Sequence, residues 1–157
     1  MTDLELMRAF DEEYLFVGRF LSEFISAPDR EYGLSHEQWL ILEAIEEHDR
    51  WLLADLADML HVTRPAVSSK ISVLVRMSLI EQQEDPEDRR KKFLKLTDKG
   101  RKILKKLRDI HAQRFQEWLA VLGREEAQRA LLIVQKIEKE LVPNDPWTNT
   151  QHLRNHE

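Results

Sequence analysis

The chain has 157 residues, 42% hydrophobic and 34% charged, with a net charge of −5, which suits one compact domain able to fold around its own core. The absence of cysteine excludes disulfide frameworks, thiolate zinc sites, a cysteine nucleophile and thiol redox sensing. No apolar run approaches the roughly 18 residues of a membrane span, and the acidic start MTDLELMRAFDEE is unlike a secretory signal, so a cytoplasmic protein with no membrane partner is expected.

With only four glycines and five prolines, a mainly α-helical chain is predicted. Leu4, Met7, Phe10, Leu15, Phe20, Leu21, Phe24 and Ile25 form an approximate helical stripe, which predicts a first helix ending before APDREYG. In LSHEQWLILEAIEEHD, Ser35 and Gln38 have the spacing of a capping box and start a second helix with Trp39, Leu40, Leu42 and Ile45 on its apolar side. A short RWLL connector leads to ADLADMLHV, a third, brief helix with Leu56, Ala57 and Leu60 on one face. The fourth helix, TRPAVSSKISVLVRMS, starts at Thr63 as N-cap and has Pro65 in its first turn, where a missing N–H costs nothing. Its inward side is Val67, Ile71 and Leu74.

LIEQQ and KFLKL read as two strands joined by the polar EDPEDRRK, a β-hairpin with a long loop. Thr97 then caps a long fifth helix, with Ile103, Leu107, Ile110, Phe115, Trp118 and Leu122 expected inward. A sixth helix is predicted from about Glu125 to Leu141, between Gly123 and Pro143, and residues 143–157 lack periodicity and read as a flexible tail.

The modest net charge conceals an asymmetry. Residues 1–60 carry −11, residues 61–110 carry +7 and residues 111–157 carry −1. Between Glu84 and Leu104 lie Arg89, Arg90, Lys91, Lys92, Lys95, Lys99, Arg101 and Lys102, a third of all lysines and arginines, so the middle segment is the candidate footprint for an anionic partner. The order of third helix, tight turn, fourth helix and basic hairpin is that of a winged helix-turn-helix, whose second helix enters the DNA major groove. Ala57 is small where the two helices meet. His61 occupies the turn position that usually favours glycine. On the fourth helix Arg64, Pro65, Ser68, Ser69, Ser72 and Arg76 face outward with Lys70 at the side. Short hydroxyl side chains allow close approach to base edges, and long cations reach guanine or phosphate.

The segment DPEDRRKKFLKLTDKGRKIL, with Asp88-Arg89-Arg90, then Leu96-Thr97, then Gly100, resembles the wing and following helix of the MarR family of winged helix-turn-helix transcriptional regulators. LADMLHVTRPAVSSKISVLVRMSLI is similar to the family's helix-turn-helix, and the resemblance spans about residues 4–142. It implies a single MarR-like domain over 1–142, with a DNA-binding lobe at about 34–97 and dimerisation helices at about 1–27 and 98–142. It also implies a homodimer that binds double-stranded DNA at a pseudo-palindromic operator, most simply as a repressor. Arg90 would enter the minor groove, Asp88 would orient an arginine, and Arg89, Lys91 and Lys92 would meet phosphates. The apolar stripes of the first, fifth and sixth helices exceed what a small winged-helix core needs, which independently favours pairing.

Regulators of this kind bind small molecules between lobe and dimerisation helices, and Trp39, Phe115 and Trp118 are the aromatic residues to examine for such an effector. No cofactor is expected. The six histidines, among them His36, His48, His111, His152 and His156, form no close cluster in sequence beyond the tail pair, so no metal ligands are assigned, although a metal-responsive regulator of the same fold stays open. A winged helix used only for protein interaction also stays open. Catalysis is not expected, because the chain lacks a Gly-rich phosphate loop, a helical His-Glu-x-x-His and a serine nucleophile elbow.

Overall fold

A computed structural model describes residues 1–48, 51–84 and 92–140. The described elements are α1 (Asp3–Glu31), α2 (His36–Glu47), α3 (Leu53–Met59), α4 (Arg64–Arg76), β1 (Ile80–Glu84), β2 (Lys92–Leu96), α5 (Asp98–Leu122) and α6 (Arg124–Glu140). The chain divides into two compact units, residues 1–111 and the remainder from Ala112. In the first unit Ile41, Leu42 and Ile45 of α2, Leu56 of α3, and Val67, Ile71 and Leu74 of α4 share one core with Leu79, Ile80, Leu94, Leu96, Leu104 and Leu107. No helix among the described residues is long and apolar enough to cross a membrane.

The local chemistry of the helix starts follows the spacing in the chain. Ser35 Oγ accepts from Gln38 N–H while Gln38 Oε1 accepts from Ser35 N–H, the reciprocal capping box. Thr2 and Glu5 make the same arrangement for α1. Leu52 has no side-chain acceptor, and its N–H donates instead to the Asp55 carboxylate. Thr63 Oγ1 accepts from Ala66 N–H at the start of α4.

Three helix ends close in one way. Gly33, His61 and Ser78 all have positive φ, at 72°, 53° and 58°. The residue in each case donates its N–H two positions back from the cap while the next residue donates to the helix's third-last carbonyl: Leu34 to Asp29, Val62 to Ala57 and Leu79 to Leu74. This is the Schellman closure. His61 was expected in such a turn. Ser78 was not, because the sequence around it carries no glycine to announce a left-handed residue.

Two expectations are corrected. The first helix does not stop before Ala27 but runs through Pro28 to Glu31. Pro28 removes one donor, yet Pro28 and Asp29 are buried and the Schellman closure holds the last turn, so packing overrides the punctuation. On α5, only Gly100, Leu104 and Leu107 are buried, while Phe115 is half exposed and Leu122 exposed. Periodicity identifies the apolar face of a helix and not how far along it a core extends.

The hairpin pairs antiparallel with Ile80 opposite Leu96, Gln82 opposite Leu94 and Glu84 opposite Lys92. Ile80, Leu94 and Leu96 point into the core. Leu94 N–H also donates to the Trp51 carbonyl, 3.4 Å away, which joins β2 to the segment before α3. At the exit of β2, Thr97 donates its hydroxyl to the Ser78 carbonyl at 2.7 Å and its N–H to the Leu79 carbonyl at 3.0 Å, and its Oγ1 accepts from Gly100 N–H at 3.0 Å. A Cβ on Gly100 would lie 2.0 Å from the Leu79 carbonyl oxygen. Gly100→Ala should therefore lower stability by about 2–3 kcal/mol, measured by urea denaturation; a variant as stable as the parent would show that this junction yields.

Candidate nucleic-acid interface

α4 has two chemically distinct faces. Val67, Ile71 and Leu74, one turn apart, are buried against the core, which forces the intervening residues outward. Arg64, Pro65, Ser68, Ser69, Ser72 and Arg76 are all exposed. Of these, Ser72 directs its hydroxyl proton back to the Ser68 carbonyl at 2.8 Å, so outwardly it offers an acceptor. Lys70 is half-buried and ion-paired with Glu37 at 2.5 Å, and its carbonyl accepts from Gln38 Nε2 at 3.4 Å. The first turn of α2 thus holds the side of α4.

The cleft beside this face has a volume of about 410 Å³ and brings Arg64, Ser68 and Ser72 of α4 together with Gln82 and Lys92 of the hairpin and Leu52 to Ala54 before and in α3. A helix with a polar outer face and a hairpin base carrying an exposed lysine therefore line one surface. Lys92 is the exposed first residue of β2. Asp88, Arg89, Arg90 and Lys91 lie outside the described residues. Other cations of the basic run have internal duties: Lys99 Nζ donates to the Met77 carbonyl at 2.7 Å, and Arg101 pairs with Asp98. Lys95 is exposed opposite Glu81.

The match with known proteins falls on this region. Residues 32–91 fit the MarR family model. The chain is also 26% identical over 134 residues to the HTH-type transcriptional regulator YkoM of Bacillus subtilis, covering 84% of this chain and 87% of that one. The DNA-binding lobe of the chain resembles the MarR family. The chain shares its fold with the repressor CouR, solved bound to a 23-mer DNA duplex, at a TM-score of 0.77 and 22% identity over 88% of this chain and 99% of that one. It is similar too to Staphylococcus aureus MarR in complex with salicylate and kanamycin, at a TM-score of 0.70 and 21% identity over 89% and 95% of the two chains. YkoM is a transcriptional regulator and CouR a transcriptional repressor, and the mainly helical winged helix-turn-helix of this chain is the fold expected.

The three aromatic residues singled out for an effector divide between the two units. Trp39 is half-buried, its ring 4.4 Å from His111 and 5.0 Å from His36. Phe115 and Trp118 pair with each other at 5.5 Å on α5 in the second unit. The grouping that sequence reasoning missed is Asp29, His36 and His111, whose ligand-capable atoms all lie within 4.8 Å of one another. Positions 29 and 111 are 82 residues apart, and no local signal in the chain joins them. α2 and α5 are further tied by Arg108, which donates from Nε and Nη2 to the Glu43 carboxylate at 2.5–2.9 Å. That hydrogen bonding holds the Arg108 guanidinium above its ordinary pKa.

The two faces of α4 differ in what they should contribute to stability. Ser68→Ala and Ser69→Ala should each change unfolding free energy by less than about 0.5 kcal/mol, whereas Leu74→Ala should cost about 2–5 kcal/mol. Parallel urea titrations read both; serine variants as damaging as Leu74→Ala would mean that the outer face is packed.

Proposed function

We propose that this MarR-like chain acts as a homodimer that binds a pseudo-palindromic operator in double-stranded DNA, as a repressor, and that a small molecule controls its release. The observation that carries this reading is the outer face of α4. Arg64, Pro65, Ser68 and Ser69 are exposed on a helix whose opposite side is fully committed to the core. Short hydroxyl groups permit close approach to base edges and Arg64 is long enough for guanine or phosphate. The wing is assigned from its sequence: Arg90 to the minor groove, Arg89, Lys91 and Lys92 to phosphates, and Asp88 as support for an arginine. CouR in its complex with a DNA duplex has the same fold, which supports the assignment.

Dimerisation is supported by apolar surface left uncovered in a single chain. On α1, Phe10, Tyr14 and Phe16 are each more than two-thirds exposed, and α6 buries none of its residues, with Leu132 and Ile133 exposed. Large apolar patches of this kind mark association surfaces, and two-fold pairing would double the base-reading surface and match a palindrome. For the effector, Trp39, Phe115 and Trp118 are the first positions to probe, and the salicylate bound by Staphylococcus aureus MarR supports an aromatic anion as the ligand class.

Selection of bound sites from random duplexes, followed by sequencing, tests the reading. A palindrome with half-sites about one helical turn apart is expected; no enrichment from folded dimer would favour a protein-interaction role. Arg90→Ala should weaken binding to the selected site by about tenfold or more without loss of folding, and wild-type affinity in that variant would sink the wing assignment. Glu37→Gln should release Lys70 toward phosphate and steepen the salt dependence of binding by about 0.9 in the log–log slope, as read from a fluorescence-anisotropy salt series.

A further inference from the structure

Asp29 is the one fully buried charged residue in the core of the first unit among the described residues. It lies in the last turn of α1, and its carboxylate meets two imidazoles from distant elements: Oδ2 lies 2.9 Å from Nδ1 of His36, the first residue of α2, and Oδ1 lies 2.8 Å from Nε2 of His111 on α5. The His36 and His111 side chains are 30% and 17% exposed, so the group is shielded yet reachable. Trp39 lies against both imidazole rings, and its Nε1 is buried with no hydrogen-bond partner among the described residues.

We propose that Asp29, His36 and His111 form a binding site for a divalent transition cation of the zinc type. Two imidazole nitrogens and one carboxylate oxygen are the borderline donor set that zinc and its neighbours accept, and three protein ligands leave a fourth position open for water or another donor. Tetrahedral coordination with bonds of about 2.0–2.2 Å needs donor atoms roughly 3.4 Å apart. The donors converge to within 4.8 Å, with two separations near 2.9 Å, so small side-chain adjustments admit the ion. A cation would also neutralise a carboxylate that has been taken out of water, a cost that hydrogen bonds from the two imidazoles only partly offset.

The ligands come from the end of α1, the start of α2 and the middle of α5, so an ion would clamp three elements at one point. His36 precedes Glu37 and Gln38, the two residues that hold Lys70 of α4. Occupancy is therefore transmitted to the recognition helix through a single turn of α2. This consequence, unlike the site itself, rests on the DNA-binding reading.

Titration of the full chain with Co²⁺ in the absence of DNA tests the site. One ion per chain is expected, with the visible d–d bands of a four-coordinate centre; Zn²⁺ should displace it and raise Tm by on the order of 5 °C at a hundredfold excess over Kd. X-ray absorption of the zinc-loaded wild type should show nitrogen and oxygen donors only, with scattering from two imidazoles. His36→Gln and His111→Gln should each weaken binding by on the order of a hundredfold, while the tail variant His152→Gln/His156→Gln should bind as the parent does. Absence of the cobalt bands together with an unmoved Tm would overturn the proposal and leave a hydrogen-bonded clamp. Binding that follows the tail histidines, or an absorption spectrum without two imidazoles, would overturn it as well. Because no DNA is present, none of these results depends on whether the operator reading holds.

Discussion

The close contact between Gly100 and the Leu79 carbonyl, locked by Thr97, is the constraint on which the winged helix depends. One short stretch, Met77 to Ile80, receives the end of α4, starts β1 and accepts bonds from Thr97 and Lys99. Positive φ at Ser78 turns the chain there, and burial of Leu79 and Ile80 seats it in the core. The direction of the hairpin relative to α4 is set by this junction. A side chain at position 100 would separate it, since backbone atoms cannot withdraw as the end of a flexible side chain can.

Charge follows the same logic of local commitment. An acidic chain can present a basic surface because its cations are not equivalent. Lys70, Lys99 and Arg108 are engaged with Glu37, the Met77 carbonyl and Glu43 and hold elements together, while Arg101 pairs with Asp98 within α5. Arg64 and Arg76 are exposed on the outer side of α4. Half-exposed ion pairs contribute little stability, so the pairing of Lys70 with Glu37 matters more for where α4 sits and how many cations remain for phosphate.

Asp29 supplies a second organising point, where the start of α2 meets α5. A carboxylate with no exposure must be compensated, and its compensation comes from α2 and α5 together. The same residue accepts Tyr32 and Leu34 backbone N–H groups at its carbonyl, which closes α1 after Pro28. Helix termination and side-chain clustering are thus one event, and this explains why α1 outlasts its proline.

The sequence by itself determined the elements whose causes are local. Capping at Ser35 and Thr97, the strand pair LIEQQ and KFLKL, the inward triad Val67, Ile71 and Leu74, and the outward serines all depend on neighbours within a turn or a hairpin, so spacing alone reveals them. The family resemblance was legible for a related reason: the wing and turn residues lie contiguously in the chain. Tertiary structure decided what distance in sequence conceals. The meeting of Asp29 with His111, the hold of Glu37 on Lys70, the exposure of Phe115 despite its place in an apolar stripe, and the left-handed Ser78 each depend on which surface another element covers. Periodicity records the chemistry of a face, and only the folded chain settles what that face meets.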